Sequence, residues 1–150
     1  MIFLTLQGTP YEIGFHHGRE LKYLIHNVIR QRGWYFYGTE CPSRETIKSA
    51  GDKLKSAFPE MMEEMRGIAD GADMPLDDIL LLNLRPLKEG CSNLALLCEE
   101  GPMLGHVDDN IECMADIAFR VRYASGLETK CIAIAGSIGY ELQLCESDCT

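Results

Sequence analysis

Gly90-Cys91 is the residue pair in this chain whose types and spacing could carry out self-cleavage. A thiol placed directly after a glycine can attack the carbonyl carbon of the residue before it. Glycine has no side chain to block that approach, and it tolerates the backbone angles the approach needs. Hydrolysis of the thioester so formed would leave an α-amine on Cys91 with an ordinary pKa of about 7.7–8.0, near enough to neutrality to take the thiol's own proton. One residue would then supply both nucleophile and general base. The competing reading is that a cysteine opening a strand is a small buried hydrophobe, and the dipeptide alone does not separate the two.

Around this pair, Ser92 and Asn93 are candidate supporting hydrogen-bond donors. Successive strand residues face opposite ways, so at most one of the two should reach the nucleophile. His16 and His17 invite a metal or catalytic reading, but neighbours on a helix point about 100° apart and do not readily share a ligand site. A structural role is expected for both, and no metal site is expected. The other cysteines stand at 41, 98, 113, 131, 145 and 149 without a Cys-x-x-Cys pair. With Cys91 they make an odd total of seven, which argues for free thiols in a reducing, intracellular compartment. Cys98, Cys113 and Cys131 lie in apolar segments and are expected in the core.

The elements that must position these residues follow from periodicity and capping. Residues 2–6 are β-prone and lead through Gly8-Thr9-Pro10, with Thr9 as a helix cap, into an amphipathic stretch from Tyr11 to about Gln31. Ser43 caps a second helix running toward Ala57, and Pro59 separates it from a third over residues 60–70. That third helix should bury Met61, Met65, Ile68 and Ala69, expose Glu63, Glu64 and Arg66, and end at Gly71 as a cap. A short apolar helix over residues 76–82 carries Asp77 and Asp78 in its first turn. Beyond Gly90, residues 92–97, 102–107, 115–123 and 130–135 read as strands of a β-meander, with Arg120 and Arg122 on a solvated face. Helices first and antiparallel strands later predict an α+β chain, a single domain over 1–150 with a helical part at 1–90 and a sheet part at 91–150.

The chain has 150 residues, 46% of them hydrophobic, and a formal net charge of −9. Its length suits one compact domain, and its charge repels nucleic acid and anionic lipid, so neither is expected as a partner. The apolar start is too short for a membrane span.

Three blocks in order carry a resemblance. They are Gln7-Gly8-Thr9-Pro10-Tyr11-Glu12-Ile13-Gly14-Phe15-His16-His17-Gly18; Glu63-Glu64-Met65-Arg66-Gly67-Ile68-Ala69-Asp70-Gly71-Ala72 with residues 79–83 and Arg85; and Gly90-Cys91-Ser92-Asn93. Together they resemble the acyl-coenzyme A:6-aminopenicillanic acid acyltransferase (isopenicillin N acyltransferase) family of cysteine N-terminal-nucleophile hydrolases. The resemblance implies an αββα sandwich and a precursor cut at Gly90-Cys91 into fragments 1–90 and 91–150. It implies acyl transfer or amide hydrolysis through an acyl-cysteine, with small amide or acyl-CoA substrates, no required cofactor, coenzyme A thioester as a co-substrate, and a cytoplasmic or, in a eukaryote, peroxisomal location. In Gly105-His106-Val107-Asp108-Asp109, Asp109 matches the family aspartate that borders the catalytic cysteine and would orient its α-amine. The alternative is a polar turn at Asp108-Asp109-Asn110. Val107 and Asp108 depart from the family's Asn-Trp pair, which puts the substrate pocket in doubt.

The resemblance fades at Gly136-Ser137-Ile138-Gly139-Tyr140. Reading residues 141–145 as GAG CTT CAA CTC TGC and shifting by one base gives Ser-Phe-Asn-Ser, similar to the family's continuation. A frameshifted or truncated gene end is therefore expected, with a product inactive or weakly active and prone to pair through exposed strands as a homo-oligomer. The other outcome is a non-catalytic remnant serving as an interaction module.

Overall fold

A computed structural model describes residues 2–35, 42–83, 92–99, 101–107, 116–138 and 142–146. The element order is β1 (Ile2–Gly8), α1 (Pro10–Glu20), α2 (Lys22–Tyr35), α3 (Arg44–Ala57), α4 (Pro59–Ala72), α5 (Leu76–Asn83), β2 (Ser92–Cys98), β3 (Gly101–Val107), β4 (Asp116–Tyr123), β5 (Glu128–Ile134) and β6 (Leu142–Glu146). The chain is α+β, as expected.

The strands do not form one meander. β1, β4, β5 and β6 make a mixed sheet in that order, while β2 and β3 make a separate antiparallel hairpin. β1 pairs in parallel with β4, Leu6 opposite Val121, and β4 and β5 pair antiparallel, Phe119 opposite Cys131. Sequence neighbours β3 and β4 had suggested continuity, but β1 takes the edge of β4. The α helices lie between β1 and β4 in sequence, and a parallel pair needs such a crossover.

Alternation sets the sheet's two faces. Leu6, Ile117, Phe119, Val121, Cys131 and Ala133 are buried against Ile13, Leu21, Ile25, Met65 and Ile68 of the helices. Arg120 and Arg122 point the other way and are exposed, as their alternation predicts.

Two helices cross unusually closely. A Cβ added to Gly14 would collide with the Glu64 carbonyl, and one on Gly18 with the Ile68 carbonyl. Added to Gly67 or Gly71, it would meet the carbonyls of Tyr11 or Phe15. Gly14-x-x-x-Gly18 on α1 and Gly67-x-x-x-Gly71 on α4 thus form the facing stripes of a parallel helix pair, and their bare Cα atoms let backbone meet backbone. This packing explains three departures from the amphipathic reading. α4 continues through Gly71 to Ala72, with Asp73 taking the left-handed cap at φ 60°. Glu64 is buried at the crossing, and Met61 is on the exposed side.

The long N-terminal helix divides at Leu21, whose N–H donates to the His17 carbonyl before α2 begins. Leu21 and Ile25 are both buried across the break; the four-residue apolar step runs through the bend and conceals it. At the other end of α1, Thr9 and Glu12 form a reciprocal capping box: Thr9 Oγ1 accepts from the Glu12 N–H at 3.3 Å, and Glu12 Oε2 accepts from the Thr9 N–H at 2.8 Å. The hydrogen bonds that Thr9 donates to the exposed Glu12 carboxyl, from its N–H first and its hydroxyl second, hold that carboxyl below its usual range. Ser43 caps α3 as expected, accepting from the Thr46 N–H at 3.1 Å.

The hairpin makes a contrast with this packed body. Leu94, Leu96, Leu97 and Met103 are all exposed, Leu97 by 88%. Leu96 and Met103 are directly opposite in the register, so they share one face while Leu97 occupies the other.

Candidate functional site

Gly90, Cys91 and Asp109 lie outside the described residues, and so do Cys41, Cys113 and Cys149. What the structure describes is the frame on either side of them. Ser92 and Asn93 open β2, paired with Val107 and His106 of β3, and the hairpin turns at Cys98–Gly101. The chain therefore leads to Cys91 and to Asp108-Asp109 from the same end of one hairpin. Of the expected core thiols, Cys131 is buried, whereas Cys98 is half-buried at the end of the exposed hairpin. The apolar texture of 94–97 suggested burial, but among the described residues no element packs over it.

On the other side, the helical part ends at a hydrogen-bonded node around the turn that follows β5. Asn83, the last residue of α5, donates through Nδ2 to the Ile79 carbonyl at 2.9 Å and to the Gly136 carbonyl at 3.0 Å. Its Oδ1 accepts from the Ile138 N–H at 2.9 Å. An amide side chain suits this position because it offers a donor and an acceptor in one plane. Asn83 thereby ties the last turn of α5 to the turn after β5. Gly136 adopts φ +86° with its open side against Leu82 and Ile25, a place with no room for a Cβ.

The third member is His17, which reaches the same turn from α1. Its Nε2 lies 2.9 Å from the Gly136 nitrogen. A backbone N–H can only donate, so Nε2 is the acceptor and the ring proton sits on Nδ1. The imidazole is 1% exposed and lies with its ring centre 4.9 Å from that of Phe119. Burial pushes its pKa down from 6.5 to about 4, because a charged ring there would lose its hydration. His17 is thus a structural histidine, as expected. His16 is half-buried and meets Phe15 edge-on. The node itself, joining His17, Asn83 and Gly136 across more than a hundred residues, was not expected. The nearest sequence signal was the position of Asn83 at the end of an apolar helix just upstream of Gly90-Cys91.

Among the described residues, no three His, Cys, Asp or Glu side chains are grouped to hold a metal ion, and no helix is long and apolar enough to cross a membrane.

The chain is 29% identical over 153 aligned positions to the 40 kDa form of an acyl-coenzyme A:6-aminopenicillanic-acid-acyltransferase from Emericella nidulans, covering 93% of this chain and 43% of that protein. It is 28% identical over 125 positions to a β-alanyl-dopamine/carcinine hydrolase of Drosophila melanogaster, covering 71% of this chain and 32% of the hydrolase. An uncharacterised protein of Archaeoglobus fulgidus is 32% identical over 100 positions, covering 54% of this chain and 16% of the relative. No family model matches the sequence. The chain spans less than half the length of each of these relatives.

Proposed function

Because the chain belongs to the acyl-coenzyme A:6-aminopenicillanic acid acyltransferase family, we propose that it is part of an acyltransferase or amidohydrolase that works through Cys91 after scission of the Gly90-Cys91 bond. The observation that carries this reading is the alignment of 93% of the chain with the fungal acyltransferase, set beside a thiol that directly follows a glycine. In the maturation step, the Cys91 sulfur adds to the Gly90 carbonyl carbon. The peptide nitrogen leaves as the Cys91 α-amine, and water then opens the thioester to a Gly90 carboxylate and a thiol. In the catalytic step the α-amine takes the thiol proton, and the thiolate attacks an amide or thioester carbonyl. The displaced amine or coenzyme A departs with a proton. Water or a second amine or thiol then removes the acyl group.

Asp109 orients the α-amine in this scheme, and one of Ser92 and Asn93 supplies a hydrogen bond beside the sulfur. The hairpin register supports that grouping, since Ser92 and Val107 are paired, Cys91 directly precedes Ser92 in sequence and Asp109 follows Val107 by two residues. In an αββα sandwich the β2–β3 hairpin belongs to the second sheet, where its exposed Leu94, Leu96, Leu97 and Met103 would pack on further apolar surface. Substrates are small amides or acyl-CoA thioesters, the classes named for the fungal and insect relatives. No resident cofactor takes part, and the cysteine usage suits an intracellular setting, cytoplasmic or, in a eukaryote, peroxisomal.

A reagent that condenses only with 1,2-aminothiols, such as 2-cyanobenzothiazole, tests this reading. One label on a fragment beginning at Cys91, absent from Cys91→Ala, is the expected result. An unlabelled chain after prolonged incubation at neutral pH rejects it.

The remaining reading, a non-catalytic interaction module, is favoured by one observation, the exposed apolar hairpin.

A further inference from the structure

Two connections of equal length join the mixed sheet to the hairpin. Asn83 ends α5 and Ser92 opens β2, with residues 84–91 between them; Val107 ends β3 and Asp116 opens β4, with residues 108–115 between them. At the hairpin both connections attach to one pair, because Ser92 and Val107 stand opposite each other. At the mixed sheet they also start close together. Asp116 is opposite Ile134, and Asn83 is hydrogen-bonded to Gly136 and Ile138 of the turn that follows Ile134. The first connection carries Gly90-Cys91 and the second carries Asp109.

Asn83 fixes the mixed-sheet end of the first connection. Its Nδ2 donates to the Gly136 carbonyl at 3.0 Å and its Oδ1 accepts from the Ile138 N–H at 2.9 Å. The turn they grip is itself held. His17 Nε2 accepts from the Gly136 N–H, and the Ser137 N–H donates to the Ile134 carbonyl at 3.0 Å. Alongside, Leu82, Val28 and Ile134 form a small buried cluster. One bond to the Ile79 carbonyl would suffice to finish the helix. Two more to a turn over fifty residues away set where the helix stops relative to the sheet, and a planar amide supplies both a donor and an acceptor for that purpose.

We propose that Asn83 is a positioning residue for scission of the Gly90-Cys91 bond, a role that rests on the self-cleavage reading. By gripping Gly136 and Ile138 it anchors the connection that carries the scissile bond to the same end of the sheet from which the Asp109 connection runs. In the step it serves, Cys91 Sγ bonds to the Gly90 carbonyl carbon and the Gly90-Cys91 C–N bond breaks. The thiol proton ends on the departing α-amine, and water then adds its hydroxyl to the carbonyl carbon and returns a proton to sulfur. Asn83 takes no part in these exchanges; its effect is orientation. Attack on the carbonyl just upstream demands unusual backbone angles, and a misplacement of about 1 Å can cost on the order of a hundredfold in rate. With Asn83 released, one end of the connection is no longer tied to the sheet, and the attacking geometry is sampled less often.

The test follows cleavage of the full chain by intact mass at neutral pH, with a parallel series in hydroxylamine, which captures the thioester as a Gly90 hydroxamate. Asn83→Ala removes all three side-chain hydrogen bonds. Asn83→Asp keeps the shape and the acceptor for the Ile138 N–H but loses both donated bonds, and it carries the comparison should Asn83→Ala fail to fold. Thr9→Ala, which weakens the α1 cap without touching the node, is the stability control. Rates are expressed per folded chain, with the folded fraction taken from circular dichroism, so that lost stability alone does not move them. The Asn83 variants are expected to cleave at least about tenfold more slowly than wild type and Thr9→Ala within about twofold of it. The same deficit is expected in hydroxylamine, because orientation acts before the thioester forms. A rate per folded chain in Asn83→Asp equal to that of wild type, a fall matched by Thr9→Ala, or a deficit that hydroxylamine removes would overturn the positioning role and leave self-cleavage standing. A wild-type chain that never cuts rejects the self-cleavage reading and this role with it.

Discussion

Protonating His17 should destabilise the fold over a defined pH window. In the folded chain burial lowers the imidazole from 6.5 to about 4, so between these values the unfolded chain holds a proton that the native chain does not. Stability rises with pH wherever the unfolded state binds more protons. The contribution of neutral His17 is therefore complete above about pH 6.5 and declines as pH falls toward 4, where the native ring begins to protonate. A gap of roughly 2.5 pH units at about 1.4 kcal/mol per unit corresponds to about 3 kcal/mol. The structural cause is direct: a proton on Nε2 would set an N–H against the Gly136 N–H now 2.9 Å away, and the ring is buried from solvent. The assay is urea unfolding of the wild-type chain and His17→Gln at pH 7.5 and 4.5. Glutamine can still accept from Gly136, and it does not titrate. Carboxyl groups such as Glu12 and Glu128, whose folded values are lowered, also titrate toward acid but do so equally in both proteins. The wild type should lose about 2–3 kcal/mol more than the variant between the two pH values. Parallel losses, or a His17 ring that titrates near 6.5 by NMR, would refute the assignment of His17 as a buried neutral acceptor.

Further outcomes follow from the packing. Gly18→Ala places a methyl against the Ile68 carbonyl and should lower stability by at least about 2 kcal/mol in chemical denaturation, since helix backbones cannot yield as side chains do. Asn83→Ala strands the Ile138 N–H and the Gly136 carbonyl and should cost about 2–3 kcal/mol, with faster hydrogen exchange at Ile138 as the local readout. Thr9→Ala removes the α1 cap and should cost about 1 kcal/mol by the same melts. Leu96→Lys with Leu97→Lys places charge on both hairpin faces and should shift the chain toward monomer in light scattering if those faces drive self-association.

Much of this architecture was legible because local signals and tertiary packing agreed. Thr9 and Ser43 cap the helices they were expected to cap, Pro59 opens α4, and Arg120 and Arg122 alternate with Phe119 and Val121. The failures share a cause. Glu64 and Met61 were assigned faces on the assumption that α4 buries its largest apolar side chains, but α4 meets α1 through glycines, and the closest contact lies where there are no side chains at all. The β1–β4 pairing depends on partners more than a hundred residues apart, which no local period encodes. The His17–Gly136 bond is likewise invisible to periodicity, which shows only that His17 lies on a buried stripe. For the candidate site, the sequence supplied Gly90, Cys91, Asp109, Ser92 and Asn93 through chemistry and resemblance. The structure adds the register that joins the strand after Cys91 to the strand before Asp109.

Intact mass of the purified chain, followed over hours at neutral pH, addresses the role of Cys91 most directly. The expected result is conversion to two species corresponding to residues 1–90 and 91–150, with no conversion in Cys91→Ala. A wild-type chain that keeps its full mass, or that breaks at another bond, would contradict it.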